Sequence, residues 1–213
     1  MEENKNKKNL LLGVSGSVAT IKLEQILNLL IKTGNYNIKV ITTEKSKHFF
    51  DEIEIRNKLK QQIQFYDDSQ EWGHWKQKGD PVLHIDLRKW ADIFVIAPLS
   101  ANTMAKIANL QCDNLLTCVA RAWDFKQTQN IKKIEFQNQN FHLKIKKPFI
   151  VAPAMNTMMF EHPGTNEQIQ KLENWGIIVM ETVEKRLACN DYGKGAMAEP
   201  ETIVNLTNII KDI

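Results

Sequence analysis

A histidine, a carboxamide, a thiol in a Gly-rich run and three hydroxyl-rich turns are the residues here best suited to chemistry. His84 follows Gly79-Asp80-Pro81-Val82-Leu83 and opens an amphipathic segment that contains Trp90. This predicts a place near a helix N-terminus, whose positive end favours the neutral, base-competent imidazole. Taken alone, a histidine is more often a surface or packing residue than a catalyst. Asn156 follows Pro153-Ala154-Met155. Its amide N–H₂ can donate hydrogen bonds to a ligand without bringing a charge. The same residue also reads as the N-cap of a following helix, and the two roles are compatible. Cys189 lies in a run with Gly193 and Gly195, as a mobile lid would. Its polar neighbours Asn190 and Asp191 argue against a buried apolar thiol.

The turns point to a phosphate. The first is Gly13-Val14-Ser15-Gly16-Ser17-Val18-Ala19, directly after an apolar run. It is not the GxGxxG dinucleotide fingerprint, and the next apolar run ends in Thr42-Thr43 rather than an acidic residue for a ribose. Both features favour a mononucleotide held by hydroxyls and backbone N–H groups, although the first turn taken alone reads equally as a Gly-Ser strand-to-helix turn with no ligand. Ala97-Pro98-Leu99-Ser100-Ala101-Asn102-Thr103 repeats the pattern, with simple N-capping by Ser100 as its plainer reading. Ala152-Pro153-Ala154-Met155-Asn156 gives it once more. Three such ends on one face outline a ligand crevice.

Strands and helices must alternate to bring these turns together. Leu10–Val14, Ile38–Ile41, Ile93–Ala97, Phe149–Ala152 and Ile177–Met180 read as buried strands, the third closed by Pro98 and the fourth by Pro153. Helical spacing covers Ser17–Lys32 (ended by Gly34), Ala101–Ala108, Asn114–Ala122, Thr165–Trp175 and Glu201–Ile210. The expectation is one doubly wound α/β domain over residues 10–213, a flavodoxin/Rossmann-like three-layer sandwich around a mostly parallel sheet. A Lys- and Asn-rich segment over 1–9 reads as a disordered tail. Residues 126–147 interrupt the alternation as an insertion rich in Asn and Gln. Ile134 and Phe136 alternate against Phe141, Leu143 and Ile145, so a β-hairpin and a disordered loop are both consistent with this stretch.

Composition narrows the classes. The formal charge of +3 over 213 residues is concentrated in Lys126–Lys147, which holds six lysines and one glutamate. A basicity confined to one segment gives no support for nucleic-acid binding. The longest apolar runs, such as Ile93–Leu99, fall far short of the ~18 residues of a membrane span. Cys112, Cys118 and Cys189 form no CxxC pair and leave an odd thiol, which suits a reducing, cytoplasmic compartment. Cys112 and Cys118 read as structural, and Trp72 and Trp75 as packing residues.

Read together, four blocks resemble the flavin-containing cysteine decarboxylase family, and within it the phosphopantothenoylcysteine decarboxylases of eukaryotic type. They are Gly16-Ser17-Val18-Ala19; Gly79 to Ile85 with Trp90-Ala91-Asp92 and Pro98 to Thr103; Pro153 to Met159; and Arg186 to Pro200. The resemblance implies FMN held by Gly16, Ser17, Val18, Thr43, Ser46, Phe49, Ser100, Ala101, Asn102, Thr103 and Ala154. It implies His84 as the base, Asn156 as the grip on the substrate carboxylate and Cys189 as the proton donor. Arg186, Leu187, Ala188 and Met197 then contact the substrate. It further implies a homotrimer with the flavin at a subunit interface. The chain departs from the family pattern at Asn190 (usually Gly), at Phe160 (usually Trp) and in the 126–147 insertion. Asn tolerates left-handed backbone, and Phe160 keeps an aromatic wall.

The implied reaction is decarboxylation of 4'-phosphopantothenoylcysteine to 4'-phosphopantetheine in coenzyme A biosynthesis. Direct loss of CO₂ from the cysteine carboxylate would strand electrons on carbon. Oxidation by the flavin to a thioaldehyde places C=S where it can accept them, and the enethiol is then reduced. A peptide C-terminal cysteine is an alternative substrate, against which the Arg186–Met197 block speaks. Flavin prenyl transfer is opposed by His84 and the Asn156 block. A phosphatase-regulatory role, without catalysis, goes with long acidic tails and is the minor reading.

Overall fold

Consecutive apolar residues that point to opposite sides of a strand must both be buried, and that requirement organises this molecule. The computed structural model describes residues 7–59, 63–73, 75–186 and 192–211. Six strands form one parallel sheet: β1 (Lys8–Val14), β2 (Tyr36–Thr42), β3 (Gln64–Tyr66), β4 (Ile93–Ser100), β7 (Phe149–Ala154) and β8 (Ile178–Val179). Their order across the sheet is β3-β2-β1-β4-β7-β8. Leu10, Leu12, Val40 and Ile150 face one core, which α1 (Leu23–Thr33) and α9 (Pro200–Lys211) cover with Ile26, Leu27, Leu206 and Ile210. Leu11, Ile41, Phe94 and Phe149 face the other, under α4 (Leu83–Trp90), α5 (Ala101–Ala108), α6 (Leu115–Ala122) and α8 (Pro163–Asn174). This is the doubly wound α/β sandwich that the alternation predicts.

The winding reverses between β1 and β4, and there the crevice at the carboxyl ends opens. Two prolines read as strand ends lie inside strands. β4 runs on through Pro98 to Ser100, and β7 through Pro153 to Ala154. The β4–β7 register slips between Ile96 and Leu99, which accommodates a residue with no N–H to donate. The Ser17–Lys32 helix begins as a 3₁₀ turn, Val18–Lys22, before α1, and Gly34 ends α1 in left-handed geometry (φ 68°). Strand β1 starts at Lys8, so the last two residues of the expected tail belong to the sheet, while residues 1–6 lie outside the described residues. Short elements also pack where no periodicity announced them: α2 (Glu52–Lys58) and α3 (Asp68–Gly73).

The insertion is a β-hairpin of β5 (Gln127–Phe136) and β6 (Gln139–Ile145), antiparallel, with Ile134 opposite Phe141. Gln137 and Asn138 both have positive φ (48° and 63°), the two-residue turn whose twist suits adjoining strands. Ile134, Phe141 and Leu143 extend the α1/α9 core and Ile145 the other. Between α6 and β7, the hairpin lies at the amino ends of the strands, opposite the crevice. Lys147 is not peripheral. Its Nζ donates to the carbonyls of Arg88, Lys89 and Ala91 at the end of α4, and its own carbonyl accepts the Trp123 indole N–H. Trp72 and Trp75, expected to pack, are 77% and 53% exposed. Helix α3 turns Glu71 inward instead, and the next side chain, about 100° further round, faces solvent.

Candidate active site

Four strand ends are joined by hydrogen bonds. The Thr43 N–H donates to Val14 O (3.1 Å), joining the β2 and β1 ends. Ser15 Oγ donates to Pro98 O (2.8 Å) and accepts from the Ser100 N–H (2.8 Å), joining β1 to β4. Ser100 pairs with Ala154 of β7. Gly16 makes a close crossing: a Cβ there would lie 2.7 Å from Lys45 Cβ. Ser17 caps the 3₁₀ turn by accepting from the Ala19 N–H. Ser100 caps α5 by accepting from the Thr103 N–H, and its own Oγ donates to the Thr103 hydroxyl (3.2 Å), so the plain capping role is present. Among the described residues, the buried Thr43 Oγ1 has no hydrogen-bond partner. Ser46 is buried on the turn Glu44–Phe49, and Phe49 is half-buried at its end. Ala101 and Asn102 open α5, Asn102 exposed.

The cavity in this crevice has a volume of about 320 Å³. It brings together the expected Ser17, Val18, Ala154, Asn156, Arg186 and Met197. Asn156 is the N-cap of α7 (Thr157–Phe160), with Oδ1 accepting from the Met158 N–H (2.8 Å), which turns its amide nitrogen away from the helix. Met197 is buried, and Arg186 ends β9 (Val183–Arg186). Strand β9 pairs with β10 (Tyr192–Ala196). Gly193 and Gly195, expected in a Gly-rich mobile lid, lie in β10 and serve close approach. A Cβ on Gly193 would meet Thr157, and one on Gly195 would meet Met155 O. Leu187, Ala188 and Cys189 lie outside the described residues.

Two lysines that sequence reasoning missed also line the cavity, Lys22 and Lys185. Both pair with Glu199: Lys185 Nζ at 2.7 Å from Oε1, Lys22 on Oε2. The hydrogen bonds from Lys185 and Lys22 hold the Glu199 carboxyl below the usual range. Two ammonium groups and Arg186 against one carboxylate leave the cavity net positive, suited to an anionic ligand. Lys22 lies five residues beyond Ser17, a spacing that could have flagged it; Glu199 carried no such signal.

His84 is the second residue of α4 and is not among the residues lining this cavity. Its helix starts at the same end of the sheet, on the α4/α6 side. Glu71, a buried carboxylate of α3, holds it twice. Oε2 accepts the His84 backbone N–H (3.0 Å), and Oε1 lies 2.5 Å from the ring Nδ1. Asp68 of the same short helix accepts the Leu115 N–H at the start of α6 (2.6 Å). Thus α3 caps two longer helices at their positive ends. Cys118, on α6, donates to Cys112 O (3.3 Å), and burial pushes its thiol up to about 11, a protonated structural group.

The chain matches the flavoprotein family over residues 1–210. It is 43% identical over 198 residues to phosphopantothenoylcysteine decarboxylase of Mus musculus, covering 93% of this chain and 84% of that one. A cysteine-to-serine mutant of PPC decarboxylase complexed with pantothenoylaminoethenethiol superimposes with TM-score 0.83 at 41% identity, over 98% of this chain and 100% of the other. An FMN binding protein gives TM-score 0.79 at 42% identity, over 97% and 98%. Similarity of this extent, on the fold and crevice just described, settles the family: the chain belongs to the flavoproteins.

Proposed function

We propose that this protein binds FMN and decarboxylates 4'-phosphopantothenoylcysteine to 4'-phosphopantetheine, the step that serves coenzyme A biosynthesis. The observation that carries the reading is the cavity at the β1/β4 reversal, which gathers Asn156, Arg186 and Met197 beside the turn Ser17–Val18. The residues fit a flavin mononucleotide. Thr43 offers a buried, unpartnered hydroxyl, and the Gly16 turn leaves no room for a side chain. Gly16, Ser17, Val18, Thr43, Ser46, Phe49, Ser100, Ala101, Asn102, Thr103 and Ala154 would hold it.

When bound, FMN would supply a reversible hydride acceptor for the substrate carbon that bears the thiol. The protein's part is orientation and proton control. The amide nitrogen of Asn156 donates to the substrate carboxylate, and Arg186, Leu187, Ala188 and Met197 are assigned as substrate contacts. His84 accepts a proton at its ring nitrogen, and the Cys189 thiol donates one to the enethiol carbon. Val18, Ile21, Met158 and Met159 are exposed apolar residues around the cavity, which favours burial against another subunit. A homotrimer with the flavin at the subunit interface would cover them and could bring His84 to a neighbour's cavity. Among the described residues no helix is long and apolar enough to cross a membrane, and a cytoplasmic location belongs to the same proposal.

The test is direct. The purified protein should show a flavin band near-stoichiometric with the chain, heat should release FMN, and phosphopantothenoylcysteine should lose CO₂ to give phosphopantetheine. Finding FAD or NAD, or an intact substrate, would overturn the reading.

A further inference from the structure

Buried carboxylates are costly unless donors surround them, and Glu71 spends both of its oxygens on one residue. Its side chain is 7% exposed, and Oε1 and Oε2 face the ring Nδ1 and the backbone N–H of His84. A capping role for α4 needs only the second of these contacts. Val82, the N-cap residue, supplies no side-chain acceptor, so Glu71 does that work from thirteen residues away. The first contact has a different consequence. A carboxylate accepts and does not donate, so the nitrogen facing it must carry a proton. That leaves the neutral ring with its lone pair on Nε2.

We propose that Glu71 is a positioning residue for His84, holding the ring in the Nδ1–H tautomer so that Nε2 is the atom that accepts the proton. The proposal rests on the reading of His84 as the base. It goes beyond that reading in naming the partner, the tautomer and the accepting atom. The same carboxylate faces the imidazolium that forms when Nε2 takes its proton, so no rearrangement accompanies the transfer. Glu71 does not line the cavity, so its effect on the reaction runs through His84.

The substitution that separates the two roles is Glu71→Gln. Its single side-chain oxygen can still accept the His84 backbone N–H and keep α4 capped. The amide N–H₂ then faces Nδ1 and donates to it, which moves the ring proton to Nε2 and removes the base. The experiment labels the protein, with its flavin, with ¹⁵N-histidine and reads ring nitrogens by long-range ¹H–¹⁵N correlation. The five histidines are resolved by assigning His84 from the signal lost in His84→Asn. In the parent protein, His84 should show a protonated Nδ1 and an unprotonated Nε2. In Glu71→Gln the pattern should invert, kcat should fall about a hundredfold, and KM and flavin content should stay near the parent values. A parent ring protonated on Nε2 overturns the proposal whatever any variant does. So does a Glu71→Gln protein that keeps kcat within about twofold, well inside the range an acid–base group supplies. If instead the parent protein binds no FMN and releases no CO₂, the proposed function fails, and the tautomer measurement still reports on Glu71.

Discussion

Gly195 and Met155 meet through their main chains. The Met155 N–H donates to Gly195 O (2.9 Å), and a Cβ on Gly195 would sit 2.5 Å from Met155 O. Gly195 also has φ +121°, a backbone region that side chains disfavour. This contact presses β10 onto the β7–α7 turn and so fixes the wall of the cavity that both residues line.

Gly195→Ala should therefore disturb stability and binding together. The strain and the clash should cost about 2 kcal/mol or more, and the wall must move to relieve it. Urea unfolding should show the lower midpoint, and substrate KM should rise. If both match the parent protein, the close approach is slack and the glycine has another purpose.

Glu199 gives a pH test. Its folded carboxyl lies below its ordinary value of 4.5 because Lys185 and Lys22 donate to it. A lowered folded value means that the contribution is present above the unfolded value and is lost as pH falls through the folded one. Glu199 is 44% exposed, so screening limits the contribution to about 1 kcal/mol or less. Glu199→Gln should thus unfold slightly more easily than the parent at pH 7, the difference shrinking as the pH is taken below 4.5. A difference that persists unchanged at pH 3 would show that packing, not charge, is at stake.

The hairpin should be a matter of stability and not of catalysis. Phe141 is 8% exposed in the core shared with α1 and α9, at the end of the sheet away from the cavity. Phe141→Ala should cost about 3 kcal/mol or more, with flavin absorbance per chain unchanged. Replacing the hairpin by a Gly/Ser linker should leave flavin binding and turnover intact if Lys147 is spared. Loss of flavin in step with loss of stability would show that the two ends of the sheet are coupled.

Much of this was legible from residue order, and the reasons for the exceptions are physical. Leu10–Val14 reads as a strand buried on both faces because no polar residue interrupts it, and α5 follows Ala101–Ala108 to the residue. The crevice was readable because hydroxyls recur after each strand. Two prolines misled, since a parallel strand with a register slip can carry a residue without an N–H. The glycines of β10 read as part of a mobile lid because a sequence does not say what lies across from them; here it is Thr157 and Met155. Glu71 left no trace, because its partner is set by where a short helix of no clear periodicity lands.

His84→Asn should separate flavin binding from chemistry. The ring makes no contribution to the cavity wall, while its removal takes away the proposed base. FMN content and the unfolding midpoint should stay near the parent, and CO₂ release should disappear. Activity within about tenfold, equivalent to ~1.4 kcal/mol in the barrier, would show that His84 is dispensable.

The last prediction divides the reaction at Cys189. If the thiol donates the proton that accompanies hydride return, its removal blocks only the later half. On the proposed function, oxidation and CO₂ loss would depend on flavin, His84 and Asn156, none of which Cys189→Ser replaces. A serine hydroxyl has nearly the shape of a thiol but is far less acidic, so it is a poor proton donor. The similar PPC decarboxylase carrying a cysteine-to-serine change is seen with pantothenoylaminoethenethiol, an unsaturated thiol of the expected kind. Mixed anaerobically with substrate for one turnover, Cys189→Ser should release CO₂ once and leave the flavin bleached. The product should be two hydrogens lighter than phosphopantetheine. Full phosphopantetheine at a normal rate would assign the proton to another group and leave Cys189 a packing role. A variant that neither bleaches nor releases CO₂ would place the thiol, or closure over the substrate, before the first bond breaks.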